Sequence, residues 1–209
     1  MEIVVISNPA EIEGEVTLVE ELFKAGLENF HLRKPGHPAR ALRRFLDGVD
    51  EQFHNRIIVH SHHELCVSYK LRGIHIREHH GNKGKWQRWL MGKYIRLRRP
   101  EIKITAGFHT IGSLKQENPG YSYVFLSPVF NSISKLGYKG TFNEDSLKKE
   151  IRKTSFRVMA LGGVDEDKIG KAKELGFHGV ALLGGIWRAE DPVEKFRRIQ
   201  MLCTSAVKM

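Results

Sequence analysis

Thiol is scarce in this 209-residue chain: Cys66 and Cys203 are its two cysteines. So few, so far apart, they exclude a disulfide-stapled scaffold and read as buried thiols. Long apolar runs are missing too. None approaches the ~20 residues that a membrane span needs. The start, Met1 to Ser7, is too short and wrongly flanked for a signal peptide, so a cytoplasmic protein is expected. No G-x-G-x-x-G follows the first apolar run, which argues against a dinucleotide site. Zinc-finger spacing, an RNP-like aromatic strand and a basic-leucine pattern are also lacking. Acid is outnumbered: 24 Asp and Glu stand against 34 Lys and Arg, for a net charge of +10. That surplus attracts anions. The bases are nevertheless spread out, densest from Lys93 to Arg99 and at Arg40, Arg43 and Arg44. They read as solvated faces, and neither nucleic acid nor a membrane is an expected partner; a homo-oligomer stays open.

What is present is a repeated switch of period. Ile3 to Ile6 is a short apolar run, read as a buried strand. Glu15 to Ala25 carries Val16, Val19, Leu22 and Phe23 at helical spacing, and Gly26 follows as a stop. The pattern continues with strand at Asn29–Leu32, helix at Pro38–Phe53, strand at Arg56–His60, helix at His63–Leu71 and strand at Gly73–Ile76. Glu78 to Lys93 is polar, with Trp86 and Trp89 suggesting a packed helix. Lys103–Ala106, Tyr123–Leu126, Arg157–Leu161 and Gly179–Leu183 complete the strands. Helices are expected from about Thr110, at Asn143–Thr154, at Asp165–Leu175 and at Pro192–Leu202. Alternating strands and helices mean parallel strands buried on both faces. Eight such units predict a (β/α)8 barrel, α/β class, one domain over residues 1–209, with an open doubly wound sheet as the rival.

Barrel chemistry sits at the C-terminal strand ends. There the sequence sets Arg33 and Lys34, His60, His75, His109 and the loop Ser127 to Lys135. Two glycine pairs, Gly162-Gly163 and Gly184-Gly185, follow the seventh and eighth strands. Such pairs allow close backbone approach and expose N–H donors, the usual means of holding phosphate after those strands. The 11 histidines raise a metal reading at His60, His62, His63 and at His75, His79, His80. With no H-E-x-x-H motif or paired cysteines, no metal site is assigned.

Taken in order, Phe30 to Lys34, Gly73 to Ile76, Ala106 to Thr110, Ser127 to Phe130, Ala160 to Val164, Gly179 to Leu182 and Arg188 to Pro192 resemble the thiamine phosphate synthase and TenI family. The resemblance runs over nearly the whole chain. It implies a (β/α)8 barrel of thiamine biosynthesis acting on a phosphorylated thiazole, a small-molecule partner. In the synthase branch, a transferase, it implies Asp-bound Mg2+ to neutralise a diphosphate. The positions of those carboxylates fall here on His60-Ser61 and near His80, and the Lys of the Arg-Glu-Lys run is displaced, leaving Arg33-Lys34-Pro35. The TenI branch, a tautomerase and therefore an isomerase, needs no cofactor and uses the His after strand five as acid and base. That position is His109. The resemblance thus implies His109 as catalytic residue and Arg33, Lys34, His60, Ser132, Ser134 and Lys135 as substrate contacts. Gly162, Gly163, Gly184 and Gly185 are expected to hold the phosphate. A divergent synthase and a non-catalytic relative remain as alternatives.

Overall fold

A computed structural model describes residues 1–77, 93–130 and 142–205. Eight parallel strands close into a barrel in sequence order. They are β1 Glu2–Ile6, β2 Asn29–Leu32, β3 Ile57–Val59, β4 Gly73–Arg77, β5 Lys103–Phe108, β6 Tyr123–Leu126, β7 Val158–Leu161 and β8 Gly179–Leu182. Pairing of β1 with β8, Val4 opposite Ala181, shuts the ring. The predicted barrel is therefore observed and the open sheet is not. The helix Trp86 and Trp89 suggest lies outside the described residues, as do His79, His80, Ser132, Ser134 and Lys135.

Side chains alternate across each strand, so a barrel strand feeds two cores. Phe30, Leu32, Ile74, Ile104, Ala106 and Phe108 face outward onto the helices in the larger apolar cluster. Val4, Ile6, Ile58, Tyr123, Phe125, Met159 and Ala181 fill the barrel. The same alternation turns His31, His75 and Thr105 inward, and all three are buried. Cys66 and Cys203 are buried free thiols.

The helices differ from the sequence pattern mainly at their ends. The expected Pro38–Phe53 helix stops at Gly48, because Val49 is extended. Asp50 then accepts the Gln52 N–H and starts a separate 3-10 turn, Glu51–Arg56. The expected His63–Leu71 helix shrinks to Leu65–Ser68, with Lys70 beyond it in the left-handed region at φ 50°. Asn143 caps Glu144–Lys153 by accepting the Ser146 N–H. Asp191 does the same for Pro192–Thr204, accepting from Val193 and Glu194. Such caps satisfy first-turn donors and are worth ~1 kcal/mol each. One element had no signal in the pattern: a four-residue helix, Gly184–Trp187, on two glycines of poor helix propensity. Among the described residues no helix is long and apolar enough to cross a membrane.

Candidate active site

The C-terminal mouth is assembled strand by strand. At β1 and β2, Ser7 ties the two ends together. Its hydroxyl donates to the Arg33 carbonyl at 3.0 Å and accepts the Arg33 N–H at 2.8 Å. This fixes the backbone from which the half-buried Arg33 projects.

Lys34 goes elsewhere, which corrects its expected role as a substrate contact. Its ammonium is buried, donating to Glu15 Oε2 at 2.5 Å and to the carbonyls of Asn8 and Ala10 at 2.8 and 2.7 Å. Glu15 also accepts the Asn8 N–H at 3.0 Å. Three donors on three acceptors use up a Lys ammonium. Lys34 therefore staples the loop after β1 to the first helix. Burial raises the Glu15 carboxyl above its usual value, with the Lys34 bond and charge opposing that shift.

At β5, His109 is exposed and its Nδ1 lies 3.0 Å from the Ser127 carbonyl. A carbonyl only accepts, so Nδ1 carries the proton and Nε2 holds the lone pair in the neutral ring. One hydrogen bond thus orients the ring and selects the tautomer that can take up a proton.

At β7 and β8, neighbours in the barrel, the glycine pairs stand on one rim. Gly162 and Gly163 have φ of 92° and 66°, a region costly for other residues. A Cβ at Gly162 would lie 3.0 Å from Pro128 Cα, so this glycine serves packing of the loop after β6. Phe130 N–H donates to the Gly162 carbonyl at 3.0 Å and fastens the same loop. A Cβ at Gly185 would lie 3.0 Å from the Val164 carbonyl, so the two glycine loops touch. Among the described residues the amides of Gly163, Gly184 and Gly185 have no protein acceptor.

Beneath the mouth lies an arrangement that the sequence pattern did not bring together. His31 Nδ1 is 2.8 Å from His60 Nε2, and His31 Nε2 is 2.5 Å from the Tyr123 hydroxyl. His75 Nδ1 is 2.9 Å from Thr105 Oγ1, and the His60 and His75 rings stack at 4.0 Å between centroids. Burial, and then the charge His75 would bring, hold His31 well below the usual imidazole range. Burial likewise pushes the Tyr123 phenol upward. Both are neutral at physiological pH. Of the histidines that raised a metal reading, His62 and His63 do not converge with His60. His62 Nε2 bonds the His37 carbonyl at 3.1 Å and His63 Nε2 the His75 carbonyl at 3.2 Å. Tyr123 and Thr105 were missed, although inward polar positions in otherwise apolar strands were the available signal. Among the described residues, the only converging trio of His, Cys, Asp or Glu is His31, His60 and His75. Magnesium, which the synthase resemblance implies, asks for oxygen ligands; these nitrogens do not fit it.

A closed parallel barrel with glycine loops after β7 and β8 and a histidine beside them defines a (β/α)8 barrel protein, a class whose members frequently hold phosphate at those loops. Within that class, the family model described as thiamine monophosphate synthase matches residues 3–186. The chain belongs to that family. A thiamine-phosphate synthase of Vibrio parahaemolyticus is 24% identical over 184 residues, 88% of this chain and 82% of the relative. A thiamine-phosphate synthase of Vibrio campbellii is 37% identical over 70 residues, a match covering 34% of each chain. The crystal structure of a thiamine phosphate pyrophosphorylase from Bacteroides thetaiotaomicron superposes with a TM-score of 0.76, at 27% identity and covering 97% of both chains. These names favour the synthase branch over the tautomerase branch, within the family that the sequence resembles.

Proposed function

We propose that this chain moves a proton on a phosphorylated thiazole of thiamine biosynthesis, as an isomerase of the tautomerase kind. The observation that carries the reading is His109: exposed at the rim, held by the Ser127 carbonyl, with Nε2 as the basic nitrogen. In this reading His109 accepts a proton from the substrate and returns it at another atom. Arg33 orients the substrate carboxylate with a planar guanidinium. The amides of Gly163, Gly184 and Gly185 take the phosphate, and Gly162 shapes their loop. His60 lines the pocket floor. Ser132, Ser134 and Lys135 are assigned to the substrate on the family resemblance alone. The reaction asks no cofactor of the protein.

Phosphate binding is tested at Gly184, where an added Cβ meets nothing nearer than 3.9 Å. Gly184→Val is therefore expected to fold. Its side chain covers the amides, removing one or two charge-assisted hydrogen bonds of ~1.5–3 kcal/mol each. Calorimetric titration with the thiazole phosphate should show affinity reduced at least ~10-fold; unchanged affinity would move the phosphate off this rim.

A second reading, a divergent synthase joining a pyrimidine diphosphate to the thiazole phosphate, is favoured by the names of the relatives. Its signature is release of pyrophosphate, which an isomerase does not produce.

A further inference from the structure

The inward imidazoles have a chemistry that the proton-transfer reading does not use. His31 on β2, His60 just past β3 and His75 on β4 come from successive strands of the barrel. One ring nitrogen from each lies within 4.8 Å of the others. Outer hydrogen bonds set how those nitrogens are presented. The Thr105 hydroxyl donates to the Ile74 carbonyl at 3.4 Å, so its oxygen accepts from His75 Nδ1–H at 2.9 Å. That places the His75 lone pair on Nε2. Gly107 faces this nitrogen, and even an added Cβ would sit 3.4 Å from it. His31 meets His60 through Nδ1 at 2.8 Å and Tyr123 through Nε2 at 2.5 Å.

We propose that His31, His60 and His75 form a binding site for a divalent cation of the zinc class. Three imidazoles suit zinc, cobalt, nickel or copper and suit magnesium poorly. Three protein nitrogens leave a fourth position for water or substrate, the pattern of an open rather than a closed zinc site. The protons balance without any leaving the protein. Where His31 Nδ1 carries the proton of the His31–His60 hydrogen bond, His31 changes to its other neutral tautomer, with the proton on Nε2, and the Tyr123 hydroxyl turns its own hydrogen away from that nitrogen. The Tyr123 oxygen accepts the Nε2–H, and Nδ1 is released to the cation. Thr105 and Tyr123 then serve as outer partners that fix ring orientation, as such groups do for metal-bound histidines.

The test uses the full chain, free of any affinity tag and stripped with a chelator. Zn2+ is titrated by calorimetry, and Co2+ by its visible absorption, which reports nitrogen ligation. One equivalent should bind. Loss of an outer partner costs ~10–100-fold in metal affinity, so Tyr123→Phe should weaken binding by that factor. His60→Gln and His75→Gln should each weaken it by at least ~100-fold, since they remove a ligand itself. His62→Gln, at the rim, should leave it unchanged. His60 is half-buried, so His60→Gln carries the test even where His75→Gln fails to fold. No stoichiometric binding, or equal binding by His60→Gln and the parent protein, overturns the proposal.

Discussion

Replacing His109 with Asn is expected to slow tautomerisation of the thiazole substrate by roughly 10²–10⁴-fold, the usual cost of losing a positioned acid-base group. Phosphate binding should survive. An imidazole can both accept and return a proton, whereas a carboxamide only hydrogen-bonds. The structure makes the substitution clean. His109 is exposed, and its ring bonds the Ser127 carbonyl, which an Asn NH2 can also reach as donor. The fold therefore loses little. The measurement is turnover of the less stable tautomer, corrected for spontaneous conversion, beside a binding titration of the same variant. Near-normal turnover would pass the role to His31 or His75. Both are buried with side-chain partners, which is why the exposed ring is preferred here.

The largest effect on stability is expected at Lys34. Removing one member of a buried ion pair leaves the other uncompensated, at ~3–5 kcal/mol. Lys34→Met and Glu15→Ala should each lower the unfolding free energy by about that amount, read from urea denaturation. Their double variant should lose less than the sum, because the two side chains share one interaction. The Lys34 variant also has a pH signature. Burial already raises Glu15, and without the ammonium its carboxyl rises further. A carboxyl whose folded value exceeds its unfolded one binds more protons in the folded state. Its favourable contribution is complete below the unfolded value of 4.5 and is lost as pH rises through the folded value. The damage in Lys34→Met should therefore be smaller near pH 4.5 than at pH 8. Equal damage at both would mean that Lys34 acts through its carbonyl contacts rather than its charge.

Lys34 also shows what a sequence does and does not disclose. Arg33 and Lys34 follow one strand, and both were expected at the mouth as cations beside an anionic substrate. Adjacent residues leave an extended backbone in opposite directions. Arg33 stays at the rim, while Lys34 turns under it to the loop after β1. Nothing local distinguishes the two, because Glu15, Asn8 and Ala10 become neighbours only when the barrel closes. The strands themselves were legible because parallel strands buried on both faces are short apolar runs, and Asn29–Leu32 and Tyr123–Leu126 emerge with their expected bounds. Helix ends were less so: the break at Val49 depends on backbone geometry and on the Asp50 side chain rather than on apolar spacing. His109 and the glycine pairs could be located because strand ends predict rim positions. The His31–Tyr123 contact spans 92 residues of sequence and needs the barrel interior to exist first.

Proton transfer and diphosphate displacement at this mouth are separated by one paired measurement. The direct measurement gives pure protein the unstable thiazole carboxylate phosphate tautomer in chelating buffer. In parallel, it receives the aromatic thiazole phosphate with hydroxymethylpyrimidine diphosphate and Mg2+. Enzyme-dependent aromatisation is expected in the first reaction, and no pyrophosphate above background in the second. Robust magnesium-stimulated pyrophosphate release without tautomer turnover would overturn the proton-transfer reading and establish the chain as a synthase.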